Sequence, residues 1–310
     1  MAVTTRTQWA ADALINYVTM EIKTLEPELQ FPKLGVKRNI PKGYDQLVFP
    51  QTSQVATSSV SQIVPAGLGE GVNPTAVLWG ATAYKAGPTQ YGLIVQVSDL
   101  LVRNSAIEVI QAAVRQVKAA LMRQIDNAIQ TVVNGGSNVI YEGGKGSRAA
   151  LAAGDIAETT QFGVAIRNLR TASNAGLEPY EGGYYVAIAH PKVEHDLMFN
   201  TSTGSFTDVG RYTSVQGLKE GRIGDFRGAR VLSSANVQTF SSTVTVYPTT
   251  FIGNESFGWG YFQEPEPIMV MQADSNNPLN VFQSIGAKAT LGATRFEEAR
   301  IVRLESAATA

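Results

Sequence analysis

The chain has 310 residues and no cysteine, which excludes disulfides and metal sites built from thiolates. It also lacks any apolar run near the roughly 18 residues that a membrane-spanning helix needs, and its first residues do not resemble a signal peptide. We therefore expect a soluble protein with no membrane partner, made in a reducing cytoplasm.

Charge is scarce as well, because only 16% of the residues are charged, against about 25% in a typical globular domain. One explanation is a Gly- and Ala-rich β protein with a polar, uncharged surface. The other, which we favour, is that neighbouring subunits cover much of the surface, since charge is depleted at interfaces. The net charge of −1 offers no basic surface of the kind that sequence-specific nucleic-acid binding requires.

A helix of unusual length is predicted over residues 105–134. Ser105 and Glu108 have the spacing of a capping box, and Gly135-Gly136 is a typical C-terminal stop. Apolar residues recur at steps of three and four, at Ile110, Val114, Val117, Leu121, Ile125, Ala128 and Val132. The opposite face is predicted to carry Glu108, Arg115, Arg123 and Asp126. At 1.5 Å per residue the helix would be roughly 45 Å long, so we expect it to be the spine of the fold.

Two segments near the start of the chain are predicted to lie at the surface. Residues 7–25 have helical periodicity and are expected to pack on a partner subunit or on the body of the protein. Residues 30–45 contain Pro and Gly together with basic residues, which indicates an extended basic arm and not a packed element. A solvated loop is the alternative for this arm.

Residues 46–100 predict a long hairpin. Strand-like sequence occurs at 46–49, 76–84 and 91–97, around a tip at 65–74 that is rich in Gly and Pro. Nothing in the hairpin has enough apolar content for a core of its own. It is therefore either disordered or packed on another surface.

The second half of the chain mixes helices and strands. A helix carrying Phe162, Ile166 and Leu169 is predicted to be capped by Thr159-Thr160, and another to begin at Pro191. Strands are predicted at 184–189, 223–232, 243–252, 268–271, 281–291 and 299–304. Helices in the middle with strands on both sides indicate an α+β fold with an antiparallel sheet.

The sequence contains no convincing active site. His190 and His195 lack the spacing of a zinc-protease motif, so we expect capping and surface roles. The Gly-rich residues 143–147 lack the order of a phosphate-binding loop. The acidic pairs at 264/266 and 297/298 could act as acid/base pairs, although solvated charge is the commoner role. We therefore expect no enzyme activity, no cofactor and no bound metal.

Several stretches together resemble a known family. They are LGEGVNP at 68–74, QYGLIVQVSDLL at 90–101, VIYEGGKGSRAA at 139–150, GGYYVAIAHP at 182–191, GRIGDFRG at 221–228, NPLN at 277–280 and RIVRLE at 300–305. In this order they resemble the major capsid (coat) proteins of tailed bacteriophages, specifically the N-four-type podovirus coat family. Each motif is weak alone, but the ordered set spans nearly the whole chain.

The resemblance implies the tailed-phage major capsid fold and a division of the chain. The N-terminal arm would be 1–45, and the E-loop hairpin with its flanking strands would be 46–100. A peripheral domain with the spine helix would take 101–180, a mainly axial domain 181–280, and C-terminal strands returning to the peripheral domain 281–310.

The same resemblance implies a structural virion protein that assembles into an icosahedral capsid shell around double-stranded DNA. The expected partners are further copies in pentamers and hexamers, separate scaffolding, portal and decoration proteins, and DNA contacted without sequence specificity. The shell of a bacterial nanocompartment and a tail or decoration protein are the alternatives. The candidate inter-subunit contact residues are Lys33, Lys37, Arg38, Lys42, Leu68, Glu70, Val72, Trp79, Tyr84 and Lys85.

Overall fold

A computed structural model of the chain describes residues 29–40, 43–52, 80–104, 108–172, 176–180, 182–199, 224–270 and 277–309. They form the α+β fold that the sequence predicts, with helices and three β-sheets. The predicted helix at 7–25 and the hairpin tip at 65–74 lie outside the described residues.

The longest described helix is the predicted spine. The helices are α1 (Phe31–Leu34), α2 (Asp99–Asn104), α3 (Val109–Asn134), α4 (Thr159–Arg170) and α5 (Pro191–Phe199). Short 3₁₀ turns occur at Glu142–Gly144, Arg148–Ala150 and Glu298–Arg300. We call α3 the spine helix.

The strands of the second half lie near their predicted positions, and several extend further. The strands are β1 (Val36–Lys37), β2 (Leu47–Thr52), β3 (Ala81–Ala86), β4 (Thr89–Ser98), β5 (Val139–Tyr141), β6 (Tyr185–Ala189), β7 (Asp225–Phe226), β8 (Ala229–Ser233), β9 (Phe240–Ser241), β10 (Thr245–Ile252), β11 (Phe257–Val270), β12 (Phe282–Arg295) and β13 (Ile301–Ser306).

These strands form three sheets, not one. The four-stranded sheet has the order β1-β11-β12-β4, and the seven-stranded sheet has the order β5-β13-β10-β6-β8-β7 with β9 paired to β10. Among the described strands, β2 and β3 of the hairpin pair with each other alone. The predicted antiparallel sheet is wrong for three pairs, β1/β11, β5/β13 and β6/β8, which are parallel. Parallel pairing joins segments that are distant in the sequence. The periodicity within one segment predicts a strand, but it does not predict which strand pairs with it or in which direction.

The two large sheets do not follow the predicted linear division of the chain. The four-stranded sheet includes β11, which belongs to the segment predicted to be mainly axial. The seven-stranded sheet includes β5 and β13, which belong to segments predicted to be peripheral. Because the chain passes between the sheets more than once, the assignment of peripheral and axial domains stays a prediction.

The spine helix packs against both large sheets. Near its start, Val109 and Val117 join a cluster with Val97 of β4 and Ile285 of β12. Further along, Leu121, Ile125, Ile129 and Val133 are buried in one cluster with β6 and β10 of the seven-stranded sheet and with β11 and β12 of the four-stranded sheet. The helix therefore joins the two sheets.

The predicted start of the spine helix is wrong. It begins at Val109 after Glu108, whose side chain makes no capping hydrogen bond, and Ser105 lies outside the described residues. The separate helix α2 ends at Asn104 and buries Leu101 in the cluster that contains Val109. Packing of both helices on β4 therefore overrides the local capping signal.

The predicted polar face of the spine helix is wrong at Asp126, which is 1% exposed. Its carboxylate accepts hydrogen bonds from the Phe31 amide (3.3 Å) and from the Asn236 side chain (2.7 Å). Burial raises the pKa of this carboxyl. One and two turns on, Gln130 and Asn134 are buried too and bond to Gln238 and Thr250. Polar side chains are tolerated here because distant partners hydrogen-bond to them.

The arm at 30–45 was predicted to be unpacked, and this is wrong for the part around α1. Phe31 is 1% exposed and belongs to the cluster around the spine helix. The Trp259 indole donates to the Pro32 carbonyl, and the Tyr180 hydroxyl donates to the Leu34 carbonyl. The next residues, β1, pair with β11. A buried aromatic ring, two side-chain hydrogen bonds and a strand pair therefore anchor a segment whose Pro and Gly content is typical of a loop.

A second core lies where α4 packs on the seven-stranded sheet. Phe162 contacts Phe226 and Phe251, with ring centroids 5.4 and 4.8 Å apart. The predicted burial of Phe162, Ile166 and Leu169 is confirmed. The predicted cap is wrong: Glu158 is the N-cap residue, and Thr159 is already helical and buried.

A buried carboxylate lies beside the start of α4. Glu142 is 2% exposed, and its Oε2 has no hydrogen-bond partner among the described residues. Burial, and then the charges of Glu158 and Asp155, raise the pKa of Glu142 to about 7, although backbone hydrogen bonds oppose the rise. The folded protein therefore binds this proton more tightly than the unfolded chain does.

Replacing Leu121 tests the packing of the spine helix. Leu121→Ala should lower the free energy of unfolding by about 2–5 kcal/mol, because it removes buried apolar surface and leaves a cavity. The exposed Gln124 on the same helix is the control, and Gln124→Ala should change it by less than about 0.5 kcal/mol. Chemical denaturation of the isolated subunit measures both, and equal values would contradict the packing.

Replacing Glu142 tests the buried carboxylate. Its contribution to stability is fully present below the ordinary pKa of 4.5 and is lost as the pH rises to about 7. Glu142→Gln stays neutral, so it should match the wild type at low pH and exceed its stability above pH 7 by up to about 3 kcal/mol. Thermal melts across this range measure the difference. A difference that does not vary with pH would contradict the raised pKa, and the exposed Glu178→Gln serves as control.

Candidate inter-subunit contact surfaces

Half of the predicted contact residues fall within the described part of the chain. They are Lys33, Lys37, Arg38, Tyr84 and Lys85. The others, Lys42, Leu68, Glu70, Val72 and Trp79, lie outside it.

Two basic residues of the arm, Lys37 and Arg38, contact the body of the protein. The Lys37 ammonium is 5.4 Å from the ring centroid of Trp259 and 5.2 Å from that of Tyr261. The Arg38 guanidinium donates to the Val48 carbonyl at 2.7 Å. Lys33, on α1, has an exposed side chain. These contacts fix the arm to β11 and to the hairpin base, so the arm is not a separate basic tether.

Tyr84 and Lys85 lie on the base of the hairpin. The Tyr84 ring is 5.4 Å from that of Phe296, which also contacts Phe49 at 5.1 Å. Burial, and then the charge of Glu297, raise the pKa of the Tyr84 phenol. Lys85 is exposed on the same strand. The hairpin base is therefore attached by a small aromatic cluster.

A cavity of about 260 Å³ brings three of the predicted contact residues together. Lys37, Arg38 and Tyr84 line it, with Phe296 and Arg300 opposite. We call it the hairpin cavity. It lies where the arm, the hairpin base and the turn before β13 meet, which local sequence patterns do not show.

Sequence reasoning missed a second concave surface, at the far end of the four-stranded sheet. This groove, of about 310 Å³, is lined by Leu93, Ile94, Ile268, Val270, Gly286 and Lys288, among others. We call it the distal groove. Three of its apolar side chains, Ile94, Ile268 and Val270, are 64%, 42% and 40% exposed. Contiguous apolar surface of this kind marks interaction sites.

Strand pairing explains how the distal groove forms. Gly286 of β12 lies between Ile94 of β4 and Ile268 of β11, so all three share one face of the sheet. A side chain at Gly286 would begin 2.8 Å from Ile94 Cγ1. The glycine therefore leaves room for the two isoleucines to line a depression. The sequence pattern can predict each strand separately. The groove forms only when β4, β12 and β11 pair in this register, so the sequence pattern does not predict it.

The outer edges of the four-stranded sheet differ. On β11, the stretch beyond β1 contains Glu264, Pro265, Glu266 and Pro267. Charged residues and proline at an edge prevent pairing with another strand. By contrast, the ten residues of β4 contain neither proline nor charge, and β12 is the only described strand that pairs with them. Within the described ranges, the outer edge of β4 is therefore left without a partner strand.

The other candidate groups for chemistry have structural contacts. His190 Nδ1 accepts from the Lys192 amide, and its carbonyl accepts from the first turn of α5, which confirms the capping role. Burial lowers the pKa of His190, whereas His195 is exposed. In the described ranges, no group of three or more His, Asp or Glu side chains is arranged to hold a metal ion.

The predicted acidic pairs are engaged separately. Glu297 accepts from Gln51 and Arg300. Burial acts to raise the pKa of Glu298, but hydrogen bonds from residues 137–138 and the charge of Arg295 outweigh it and lower the pKa. On β11, Glu264 and Glu266 are exposed. Among the helices in the described ranges, none combines the length and the hydropathy that crossing a bilayer requires.

Comparisons with known proteins agree with one family. The sequence model of the phage capsid protein family matches residues 83–304. A search of the curated proteins gives no match.

Several solved structures share the fold. The capsid of Ralstonia phage GP4 has a TM-score of 0.71 at 11% identity and covers 100% of this chain and 99% of its own. The capsid of cyanophage P-SCSP1u has a TM-score of 0.70 at 14% identity, with 95% and 92% covered. The head of Helicobacter pylori bacteriophage KHP40 has a TM-score of 0.71 at 10% identity, with 99% of each chain covered.

Identities this low establish the fold alone, which is the tailed-phage major capsid fold that the sequence predicts. The family match covers most of the sequence. The chain therefore belongs to the phage capsid protein family and is a structural protein of the capsid shell.

Proposed function

We propose that copies of this chain assemble as pentamers and hexamers into a closed icosahedral shell that encloses double-stranded DNA, and that the chain catalyses no reaction. The observation that carries the proposal is the outer edge of β4, which no described strand pairs with, beside the exposed apolar side chains of the distal groove. In a shell of identical subunits the partner present at highest local concentration is another copy.

The segment proposed to cover this surface belongs to the predicted E-loop of an adjacent copy. We call residues 53–79 the E-loop segment; they include the candidate contacts Leu68, Glu70, Val72 and Trp79. Glu70 is the only charged residue between Gln51 and Tyr84. An almost uncharged segment suits an edge strand without charge and an apolar groove.

A lysine beside the groove and a glutamate in the incoming segment would fix the register of this contact. Lys288 lines the distal groove and lies between Gly92 of β4 and Glu266 of β11 in the sheet. Glu70 of the incoming copy is the only acidic group in its segment, and we propose that it pairs with Lys288. An ion pair at a surface is worth about 0–1 kcal/mol, so this pair would select position while the apolar contact supplies strength.

The E-loop segment connects β2 and β3 in the sequence, so we propose that it leaves the subunit at the hairpin base. Tyr84 and Lys85 at this base, with Lys37 and Arg38 beside the hairpin cavity, are proposed to contact the same neighbour. Lys33 and Lys42 of the arm are proposed as further contacts. The arm is attached to the body through α1 and β1, so its orientation is set within the subunit.

The remaining parts of the proposal concern partners and place. Scaffolding, portal and decoration proteins are the proposed partners, the host bacterial cytoplasm the proposed site of synthesis, and the virion the proposed location. A nanocompartment shell with the same fold is the second candidate, and it would enclose a protein cargo in place of DNA. Electron microscopy of expressed shells, with analysis of their contents, separates the two.

A lysine in the distal groove tests the proposed contact. Ile94→Lys should leave the subunit folded, because Ile94 is 64% exposed, but it places a charge in an apolar contact. We expect the protein concentration needed for shell assembly to rise about tenfold or more, as if about 1.4 kcal/mol were lost. Gln124→Lys, on the exposed side of the spine helix, is the control.

Proteolysis shows directly whether the E-loop segment is covered. It contains no Lys or Arg, so a protease that cleaves at apolar residues is needed. Cleavage within 53–79 should be fast in isolated subunits and slow in shells. Equal cleavage rates, or normal assembly of Ile94→Lys, would show that the distal groove is not the acceptor.

DNA retention across a salt series tests the proposal that DNA is contacted only weakly. The arm cations Lys37 and Arg38 already contact aromatic rings and a carbonyl group, and the net charge is −1. We therefore expect no retention of DNA by purified subunits near physiological salt. Tight retention that weakens steeply with salt would reveal many phosphate contacts and would contradict a near-neutral lining.

A further inference from the structure

A turn rich in glycine follows β5 and begins the connection to α4. It contains Gly143 and Gly144, whose φ angles of +64 and +67 lie in the left-handed region that favours glycine. Residues 143–147 are exposed, whereas Glu142, at the start of the turn, is buried. We call residues 142–147 the glycine turn. This turn is therefore attached to the body of the protein at a buried carboxyl group.

The site of Glu142 suits a neutral carboxylic acid better than a carboxylate. The Gly143 amide donates to Oε1 at 3.4 Å, which is longer than the roughly 2.7–3.2 Å of an ordinary N–H···O bond. Oε2 has no hydrogen-bond partner among the described residues, and only 2% of the residue is exposed. Burying a charge without adequate partners costs far more than burying a neutral polar group. An ionised Glu142 would therefore gain free energy by reaching water.

The charges at the start of α4 act in the same direction. Glu158, the N-cap residue, and Asp155 both repel a negative charge on Glu142. The Lys145 ammonium lies 3.9 Å from Asp155 and offsets part of this repulsion. The Glu158 amide and the helix dipole favour the carboxylate. Burial outweighs them and raises the pKa of Glu142 to about 7.

The charged groups of β13, which packs against the same turn, are paired with one another and with Arg148. Glu305 is fully buried and accepts from Arg148, with Nε–Oε2 at 2.7 Å and Nη2–Oε1 at 2.6 Å. Arg303 Nε lies 2.8 Å from the same carboxylate. An arginine that makes two bonds to one carboxylate is held firmly. The connection is therefore clamped directly after the glycine turn, which confines a movement of Glu142 to the turn.

We propose that the glycine turn is a latch controlled by a proton: when Glu142 is protonated it stays buried and the turn is closed, and when Glu142 is ionised it moves out to water and the turn opens. Gly143 and Gly144 supply the backbone freedom for this movement, because glycine occupies left-handed and right-handed conformations about equally readily. The movement takes place within one subunit, so the inference does not depend on the proposed assembly.

The latch is closed most tightly in acid. The pKa of the Glu142 carboxyl group is about 7 in the closed turn, and its ordinary value of 4.5 applies once the group is in water. The stability of the closed turn is therefore fully present below pH 4.5, is lost as the pH rises to about 7 and changes little above that. The open form reaches its largest population at and above neutral pH, and protonation closes the turn again.

Limited proteolysis of isolated subunits tests the latch. Trypsin cleaves after Lys145 in the turn, and cleavage of a folded protein follows the population of the locally open form. The rate of this cleavage, divided by the rate for Glu142→Gln at the same pH, should rise up to about tenfold between about pH 6 and about pH 8. Glu142→Gln stays neutral, and the ratio cancels the pH dependence of trypsin itself. Glu178→Gln, at an exposed position, should behave like the wild type.

Cleavage after Lys118 separates opening of the turn from unfolding of the subunit. Lys118 is exposed on the spine helix, and cleavage there requires that helix to open. Cleavage after Lys145 should be at least about tenfold faster, because a local opening costs less than global unfolding. Equal rates after the two lysines would show that the turn opens only when the subunit unfolds, and would overturn the inference. A ratio to Glu142→Gln that stays constant with pH would overturn it as well.

A peptide standard covers the case in which Glu142→Gln does not fold, which thermal melts detect. An unfolded peptide of residues 140–150 gives the pH dependence of trypsin at the same cleavage site. Wild-type cleavage after Lys145, divided by cleavage of this peptide, should rise by the same factor of up to about ten over the same pH range. A flat ratio would show that the proton on Glu142 does not control the turn.

Discussion

The packing of the spine helix against both large sheets is the constraint on which the rest of the structure depends. Leu121, Ile125, Ile129 and Val133 lie four residues apart, and their cluster includes strands of both sheets. A strand on its own leaves its apolar side chains exposed to water. Each of the two large sheets buries apolar side chains by packing against the same helix. The arm adds Phe31 to this contact, so the described start of the chain belongs to the core.

Once the sheets are fixed on this helix, they leave surfaces that the described residues of the subunit do not cover. The four-stranded sheet ends in the open β4 edge and the distal groove, while the outer edge of β11 is protected by proline and glutamate. The seven-stranded sheet ends in the short strands β5 and β7. The low charge of the chain fits a protein whose neighbours cover such surfaces.

Local patterns predicted much of the fold. The helix with Phe162, Ile166 and Leu169, the buried strand β6 and the helix beginning at Pro191 were predicted close to their observed bounds. Each is specified by the periodicity or punctuation of a few consecutive residues. Local sequence patterns also specify the hairpin strands β2 and β3. The six residues of each strand pair in register with the other strand. Of the contact residues, sequence alone indicated which segments would be exposed, and their contacts stay predictions.

The sequence by itself determined the class of fold, the spine helix and the family. Apolar periodicity and ordered motifs depend only on the order of residues along the chain, so they can be recognised without the structure. Only the tertiary structure decided that Asp126 is buried, since its partners Phe31 and Asn236 are 95 and 110 residues away. It also decided that Ile94, Gly286 and Ile268 make one groove, through the register of three strands. Contacts between distant segments depend on how the sheets meet the helix, and no local pattern encodes that geometry.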